Sequence, residues 1–501
     1  MAGRSRWRVA AGTSFALALL VRFGVVALSR GGLDGRFDYD SGVYYAAADA
    51  LIHGRLPYRD FVLLHPPGLM LVLTPFAALG RITSDHTGFV VANIAFAMLG
   101  SLNAALVVQV ARRVGLSLVA GTLGGLFYAI WFGAVDAEIS VRLEPLSSFA
   151  FLCGMLLLLG SARPTRRALL LAGVALGATT TIKIWWAAPL FLVLAWQLRS
   201  GEARRRVAPL ASGALAAVAL IDAPFFVAAP GPMWRMVVAD QLSRHSIRQS
   251  AFWRLDELSS LRAAFPHLSA HAAHAAVLAG TALFIALGVA AWRTARARLL
   301  VLIGAAQVAV LLTAPSYFIA YSEFLAATLS LVVAAAAHTA HRPRRVDLVA
   351  TVAAAVAVTV AGALTAVAVF VRPIRLIEPF PGRALAEGVE HVRCVMSDSP
   401  MALIELDVLS RDLADHCPNW VDVTGRTYDV DSPPPGDFVG RAHNTKWQSD
   451  LRDYLLDGDA TIIIRRRTGL DAATRRLIRH LPVLESAHGV RVYRVPPADR
   501  L

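Results

Sequence analysis

The stretch Asp38-Tyr39-Asp40-Ser41-Gly42-Val43-Tyr44 follows the first long apolar segment and runs on to His65-Pro66-Pro67-Gly68. Two carboxylates, Asp38 and Asp40, therefore come where the chain is expected to leave a lipid bilayer. Acidic side chains cost free energy near lipid, so they are rare there and usually functional. The stretch predicts a functional loop at the membrane surface, because a simple anchor needs neither the acids nor the run punctuated by Gly and Pro.

The composition indicates an integral membrane protein. Of the 501 residues, 56% are hydrophobic and only 17% are charged, whereas soluble domains carry about 25% charged residues. A membrane-spanning helix needs about 20 predominantly apolar residues. Eleven candidate spans meet or approach this length: 9–29, 87–111, 115–134, 146–162, 168–184, 186–198, 207–229, 271–292, 298–315, 322–340 and 347–371. The predicted fold class is therefore an α-helical polytopic membrane protein.

The first apolar segment also has the look of a secretory signal, because Arg4, Arg6 and Arg8 precede it. A signal peptide would end in a small-x-small cleavage site. No such site follows the apolar core, so the segment is predicted to be a span.

The net charge of +14 is distributed in a way that predicts the orientation of the chain. Basic clusters follow every second span, and together with the N-terminal arginines they would all face one side. Those clusters are Arg112-Arg113, Arg163/Arg166/Arg167, Arg204-Arg205-Arg206, Arg293/Arg296/Arg298 and Arg342/Arg344/Arg345. Excess Lys and Arg mark cytoplasmic loops. The N-terminus is thus predicted in the cytoplasm of a plasma-membrane protein, and nucleic-acid binding is disfavoured as the reason for the charge.

With eleven spans, the C-terminal segment 372–501 is placed outside, on the face shared with Asp38 and Asp40. Residues 1–371 are predicted to form the transmembrane module, with long external loops at 30–86 and 230–270. Segment 372–501 alternates strand-like and helical runs, which predicts a small extracytoplasmic α/β domain.

The external loops are predicted to contain helices of their own. Residues 43–53 favour an amphipathic helix at the interface, ended by Gly54, where a glycine commonly terminates a helix. Residues 67–80 are apolar but short, and favour an interfacial or re-entrant helix. The loop at 230–270 favours short amphipathic helices over the membrane surface.

Cys394 and Cys417 both lie in the predicted external domain. An oxidising compartment permits a disulfide there, but spacing alone does not show whether the two residues can meet. The sequence leaves open whether they are bridged. Cys153 lies within a predicted span and is interpreted as a small apolar filler.

The order of span, acidic loop, helix and His-Pro-Pro segment resembles the GT-C glycosyltransferases that use polyprenyl-phosphate sugars. The similarity is to protein O-mannosyltransferases, aminoarabinose transferases and actinobacterial lipoglycan mannosyl- and arabinosyltransferases, and it covers roughly residues 1–340. In that superfamily an Asp of the first external loop is the catalytic base, which the resemblance places on Asp40. Ser41 replaces the usual second acid, so Asp38 is the candidate for that carboxylate.

The resemblance also implies a site for the donor phosphate. His65-Pro66-Pro67 resembles a Lys-Pro-Pro segment that contacts this phosphate in the aminoarabinose transferases. Glu144, in Arg142-Leu143-Glu144-Pro145, resembles an acid at the outer end of the fourth span, and Lys183 in Thr181-Ile182-Lys183 resembles a Thr-Lys pair after the fifth.

Each of these residues has a plainer interpretation. Asp40 could cap the 43–53 helix, and Glu144 could simply be favoured at a helix N-terminus by the helix dipole. Asp38 could orient the acceptor or bind a divalent ion, and the plainer alternative is a solvated loop acid. Lys183 could extend along lipid to the interface.

The remaining candidates come from the loops. His65 could cap the 67–80 helix. Arg244 and Arg248, spaced i and i+4, share one helical face and suit phosphate binding, but exposed charged faces are common. Tyr44 and Tyr45 could stack on sugar or prenyl groups, although interfacial aromatics are ordinary.

The sequence therefore predicts an inverting glycosyltransferase that moves a sugar such as mannose or arabinose onto a cell-envelope glycan, lipid or protein. The donor would be a polyprenyl-phosphate sugar, because no nucleotide-binding motif is present and the chemistry faces outward. A divalent metal is the one cofactor left open. The alternatives are a lipid or glycan flippase, which predicts paired charges within the membrane and two related halves, and a non-catalytic scaffold that binds cell-wall glycan.

Overall fold

The computed structural model describes residues 2–29, 32, 38–161, 163–199, 201–243, 249–338, 345–371, 380–429, 441–464 and 469–497. The chain divides into two compact units, each built from three separate stretches. The first unit contains Met1–Gly32, Ile94–Asp222 and Ser246–Arg375, and the second contains Leu33–Asn93, Ala223–His245 and Leu376–Leu501.

The first unit is helical throughout its described residues. Its α-helices are Ala2–Leu28, most of Asp85–Val114, Leu118–Ile130, Phe132–Glu138, Leu143–Leu158, Arg166–Thr180, Ala187–Gln197, Gly201–Arg204, Val207–Ile221, Ala251–Leu258, Leu261–Ala264, Ala270–Trp292, Arg298–Thr313, Glu323–Ala336 and Arg345–Ala366. Short 3-10 turns lie at Ile184–Trp186, Ala295–Ala297 and Ile319–Ser322, and a π-turn lies at Val367–Val371.

Among the residues that the structure describes, six helices are long and apolar enough to cross a membrane: Arg4–Leu28, Asp85–Val114, Ala270–Trp292, Ala295–Thr313, Ile319–Ala336 and Leu348–Val369. A seventh crossing is possible where Leu118–Ile130 and Phe132–Glu138 meet at a bend of 55°. These helices support a multi-pass membrane protein. Four further predicted spans fold as helices of 11 to 16 residues, for example Leu143–Leu158, so the count of eleven crossings stays a prediction.

The second unit combines the first loop region with the C-terminal segment. Its α-helices are Tyr39–Ile52, Gly68–Ile82, the start of Asp85–Val114, Ala223–Ala228, Pro230–Trp234, Asp240–Ser243, Gly382–Ala386, Pro400–Glu405, Leu409–Ala414, Arg426–Asp429, Thr445–Leu456 and Ala472–His480. A π-turn lies at Arg235–Ala239, and 3-10 turns lie at Glu387–Val389 and Arg441–His443.

The described residues of the C-terminal segment contain one four-stranded sheet, within the second unit. That this segment is a separate domain stays a prediction. The strands are β1 (Val395–Ser397), β2 (Ala460–Ile462), β3 (Val483–Ala487) and β4 (Val490–Arg494), in the order β1-β2-β4-β3. β1 pairs parallel with β2, and the other two pairings are antiparallel. The core beneath the sheet includes Met396, Trp447 and Leu451. Cys394 and Cys417 are joined by a disulfide, with Cα atoms 5.7 Å apart.

The helix predicted at 43–53 begins earlier, at Tyr39, and is not amphipathic. Every residue from Ser41 to Ala50 is buried. Small side chains explain this burial, because Ala46, Ala47 and Ala48 let neighbouring elements approach the helix from all directions. The expectation of an exposed interfacial helix is therefore wrong, and the helix belongs to the interior of the second unit.

Candidate active site

Asp40 is the second residue of the helix Tyr39–Ile52, and its side chain is half-buried. The N-cap residue of this helix is Asp38, whose side chain makes no capping hydrogen bond. The interpretation of Asp40 as a helix cap is therefore wrong. A carboxylate in the first turn still benefits from the helix dipole, and its position inside the helix gives it a defined direction.

The Asp38 carboxylate accepts a hydrogen bond from a side chain in the first turn of the helix. The Ser41 hydroxyl donates to Asp38 Oδ2 at 2.6 Å. The Ser41 hydroxyl thus orients the carboxylate that precedes the helix.

Tyr44 lies one helical turn after Asp40, so the two residues share a face of the helix. The Tyr44 ring meets the His65 ring edge to face, with centroids 5.8 Å apart. The His65 backbone carbonyl accepts a hydrogen bond of 2.7 Å from the Tyr58 hydroxyl. Gln241, in the 230–243 segment, donates to the carbonyl of Leu64 at 2.7 Å. The second unit therefore brings the acidic helix, the His-Pro-Pro segment and the 230–243 segment together.

Tyr45 packs in the core of this unit. It is fully buried, meets Phe89 edge to face at 5.7 Å, and donates to the carbonyl of Phe76. Its hydroxyl lies where a side chain on Gly80 or Gly88 would otherwise stand. Burial raises the pKa of the Tyr45 phenol well above its usual range. Packing occupies this ring on all sides, whereas the Tyr44 ring is 8% exposed and contacts His65.

Glu144 and Lys183 were predicted in separate roles, but the first unit pairs them with each other. Lys183 Nζ donates to Glu144 Oε1 at 2.5 Å, and both side chains are 3% exposed. The same ammonium lies 3.9 Å from the ring centroids of Trp185 and Tyr321. Contacts of a cation with aromatic faces are favourable and fix its position. Lipid snorkelling is therefore excluded for Lys183, whose charge is held inside the helical unit.

A second buried polar cluster in the first unit was missed from sequence. Arg22, within the first apolar helix, forms an ion pair with Glu138 and donates to the Ala129 carbonyl at 2.9 Å. The Tyr128 hydroxyl lies 2.6 Å from Glu138 and 3.1 Å from Glu323. The available signal was the presence of ionisable residues in apolar segments, which are rare and commonly functional.

Arg244 and Arg248, predicted to contact phosphate, lie outside the described residues. In the part of the chain that the structure describes, no three His, Cys, Asp or Glu residues are arranged to hold a metal ion. A metal role for Asp38 stays a prediction.

Comparison with known proteins connects this architecture to solved structures. No protein-family model and no curated protein sequence matches the chain. It superimposes on ArnT from Cupriavidus metallidurans bound to undecaprenyl phosphate with a TM-score of 0.58, covering 97% of this chain and 98% of that one at 14% identity. The chain has the GT-C fold.

Similarity of this kind extends to the oligosaccharyltransferase of Archaeoglobus fulgidus. Its structure tethered with an acceptor peptide gives a TM-score of 0.53 at 13% identity, over 90% of this chain and 68% of that one. Its complex with an inhibitory peptide and a dolichol-phosphate gives a TM-score of 0.52. At these identities the likeness establishes the fold.

Proposed function

We propose that this protein is a membrane glycosyltransferase that moves a sugar from a polyprenyl-phosphate donor to a cell-envelope acceptor on the outer face. The observation that carries the proposal is the match, over nearly the whole chain, to ArnT bound to undecaprenyl phosphate. Fold alone does not define an activity. The second support is therefore local: the acidic helix and the His-Pro-Pro segment are packed together in one unit.

The proposed reaction is an inverting displacement at the anomeric carbon of the donor sugar. The acceptor hydroxyl oxygen forms the new bond as the bond to the phosphate oxygen breaks. Asp40 takes the proton of that hydroxyl, which as general-base help is worth about 10²–10⁴-fold in rate. The departing polyprenyl phosphate keeps the bonding electrons, and a protonated or hydrogen-bonding His65 stabilises the charge that develops on it.

Tyr44 is proposed to bind the donor sugar beside these two groups. Its place between Asp40 on the helix and the His65 ring suits an aromatic platform. In the first unit, Lys183 is proposed as a phosphate-binding residue and Glu144 as the acid that holds it.

The prenyl chain of the donor needs an apolar channel, and the first unit contains a suitable cavity. Its volume is about 560 Å³, and its lining is almost entirely apolar. The walls come from the helices around Phe284, Ile285, Val289, Val308 and Leu325. A prenyl chain enters such a cavity from lipid, so its binding there depends on van der Waals contact with the apolar walls.

The decisive experiment is an assay of sugar transfer in membranes with radiolabelled polyprenyl-phosphate sugars. Asp40→Asn should lower kcat by at least about 10²-fold, because the amide cannot take the proton. Asp453→Asn, at an exposed side chain of the C-terminal domain, is the matched control and should transfer at the wild-type rate. Full activity of Asp40→Asn would remove the base from this mechanism, and wild-type membranes inert toward every lipid-linked sugar would refute the proposal.

The identity of the sugar, with mannose and arabinose as the first candidates, is tested in cells. Deletion of the gene should leave one envelope glycan, lipid or protein without a sugar that mass analysis can name. Restoration by the wild-type gene and failure of the Asp40→Asn gene would connect that loss to the proposed site.

One observation favours a second candidate, a lipid or glycan flippase. Such a protein is expected to hold paired charges among apolar helices, and the Arg22–Glu138 pair is of this kind. Proteoliposomes decide between the two: movement of a lipid-linked sugar across the bilayer without sugar transfer would favour the flippase.

A further inference from the structure

The first turn of the acidic helix is held by the C-terminal domain, and this contact centres on Tyr39. The Tyr39 hydroxyl donates to Asp422 Oδ1 at 2.8 Å and accepts from the backbone N–H of Thr424 at 2.8 Å. A hydroxyl has one hydrogen to donate and lone pairs to accept. Both capacities of the Tyr39 hydroxyl are therefore used on one turn of the C-terminal domain.

That turn is itself well defined. Asp422 Oδ1 also accepts from the backbone N–H of Gly425 at 2.8 Å, which closes the turn 422–425. The carbonyl of Val423 accepts from the indole of Trp447, a fully buried side chain of the domain core. Asp422 is 8% exposed. The oxygen that Tyr39 meets is thus fixed by the fold of the domain.

Two further contacts join the same helix region to the domain. A side chain at Gly42 would come within 2.9 Å of the Met401 backbone nitrogen, so the first turn lies directly against the helix Pro400–Glu405. Arg55, just after the helix, donates to the carbonyl of Cys417 at 2.9 Å. Cys417 is the disulfide partner of Cys394, so this carbonyl lies on a cross-linked segment.

The start of the helix needs this support, because the usual capping bond is missing. The helix has no side-chain capping hydrogen bond from its N-cap residue, Asp38, and loss of a cap typically costs about 1 kcal/mol. A first turn without it is prone to fray. Tyr39 and Asp40 are the first two residues of that turn, so an anchor on Tyr39 restrains the backbone that carries Asp40.

We propose that Tyr39 is a positioning residue, and that the C-terminal domain acts through it to hold Asp40 in line with the acceptor. The inference rests on the proposed function, in which Asp40 is the base. It assigns the C-terminal domain a part in the reaction that requires no contact between that domain and the substrates. A displacement of about 1 Å in such a group can cost about 10²-fold in rate.

The test uses the full-length protein and compares Tyr39→Phe with Tyr493→Phe. Tyr39→Phe keeps the ring and removes only the hydroxyl. Tyr493 is a buried tyrosine of β4, and its variant controls for the loss of any phenol from the domain. For Tyr39→Phe we expect kcat to fall about 10- to 100-fold with KM for the lipid donor within about twofold. For Tyr493→Phe we expect both constants unchanged.

Asp422→Asn and Asp422→Ala separate positioning from folding. The asparagine keeps an oxygen that accepts from Tyr39 and Gly425, so it should keep most of the activity, whereas the alanine should behave like Tyr39→Phe. Loss of activity in Tyr39→Phe that tracks a fall in Tm, with KM rising as well, would overturn the inference in favour of a purely structural role.

Amide hydrogen exchange supplies a readout that does not need activity. The amides of residues 41–45 should exchange faster in Tyr39→Phe than in wild type, and unchanged exchange would overturn the inference by itself. Asp40→Asn distinguishes the two proposals. If it is inactive while Tyr39→Phe matches wild type, the positioning role fails alone. If it is fully active, the assignment of Asp40 fails.

Discussion

At the scale of single residues, the buried pair Arg22–Glu138 places two charged groups in the interior of the first unit. Both side chains are fully buried, and Glu138 also receives the Tyr128 hydroxyl. Taking a charge out of water costs several kcal/mol unless a partner with good geometry compensates it. The intact pair therefore adds little to the free energy of unfolding, but removal of one partner destabilises the protein strongly.

Glu138→Ala should destabilise the protein by about 3–5 kcal/mol, because it leaves the Arg22 guanidinium buried without its carboxylate. Thermal unfolding of the detergent-purified protein measures this. Glu138→Gln keeps a hydrogen-bond acceptor and should lose less stability than Glu138→Ala. Asp453→Ala, at an exposed position, should have almost the Tm of wild type. Equal Tm values for Glu138→Ala and wild type would show that the pair does not form.

Asp412, in the C-terminal segment, is expected to make the free energy of unfolding depend on pH. It is 1% exposed, and burial raises its carboxyl pKa to about 8, although the Val395 N–H donates to it at 3.1 Å. The folded state therefore holds this proton more tightly than the unfolded state, whose pKa is near 3.8. The stabilising contribution is complete below pH 4 and is lost as the pH rises through 8.

The unfolding free energy should fall by up to about 1 kcal/mol per pH unit between roughly pH 4 and pH 8 through this group. Asp412→Asn removes the ionisation, so its Tm should exceed that of wild type at pH 8 and approach it at pH 5. Melting curves across this range check the difference. The same pH slope in both proteins would exclude Asp412 as its source.

At the scale of elements, the acidic helix shows what local sequence can and cannot predict. Its existence followed from the run 43–53, and its termination near Gly54 from glycine chemistry. Its burial did not follow, because the elements that cover it, such as Pro400–Glu405, lie some 350 residues away in sequence. Hydrophobic periodicity shows which face of a helix is apolar. It does not show which distant segment will pack against an alanine-rich helix.

Only some of the strands in the C-terminal segment could be predicted from the sequence. The strand-like runs of the sequence at 460–464 and 490–495 lie within a few residues of the bounds of β2 and β4, and the helical run at 472–480 coincides with the helix Ala472–His480. β1 has only three residues and β3 is mostly polar or half-exposed. Neither gives a pattern that stands out before its neighbour in the sheet is known.

Gly42→Ala tests the close approach at the acidic helix. Alanine is favoured over glycine inside a helix by about 1 kcal/mol, but here the new Cβ would meet the Met401 backbone at 2.9 Å. We expect a lower Tm and reduced sugar transfer. Gly24→Ala is the matched control, since Gly24 is also helical and has open space around it. Gly24→Ala should leave the Tm unchanged or raise it. The same result for Gly42→Ala would show that the helix and the Met401 backbone lie farther apart than in the structure.

At the scale of the whole molecule, the second unit constrains the topology. Its first stretch, 38–93, and its last, 380–497, are in direct contact through Tyr39 and Asp422. If both segments lie outside the bilayer, their contact puts them on the same side of it, and the chain between them then crosses an even number of times. Among the described residues of this interval, five long helices and the bent pair are six candidate crossings. The four shorter helices would raise the number to ten, and parity is satisfied either way.

This parity is consistent with an external C-terminal domain if the first helix also crosses from a cytoplasmic N-terminus. Single cysteines placed in a Cys153→Ala background test it, with a maleimide that cannot pass the membrane. Arg59→Cys in the first loop and Ser486→Cys in β3 are at exposed positions of the second unit. Both should label in intact cells, because the basic clusters predict the opposite loops to be cytoplasmic. Ser161→Cys, exposed beside such a cluster, should label only after permeabilisation.

Labelling of Arg59→Cys without Ser486→Cys would contradict the contact between Tyr39 and Asp422. Labelling of neither, with Ser161→Cys accessible, would place the proposed site in the cytoplasm and remove the argument for a lipid-linked donor.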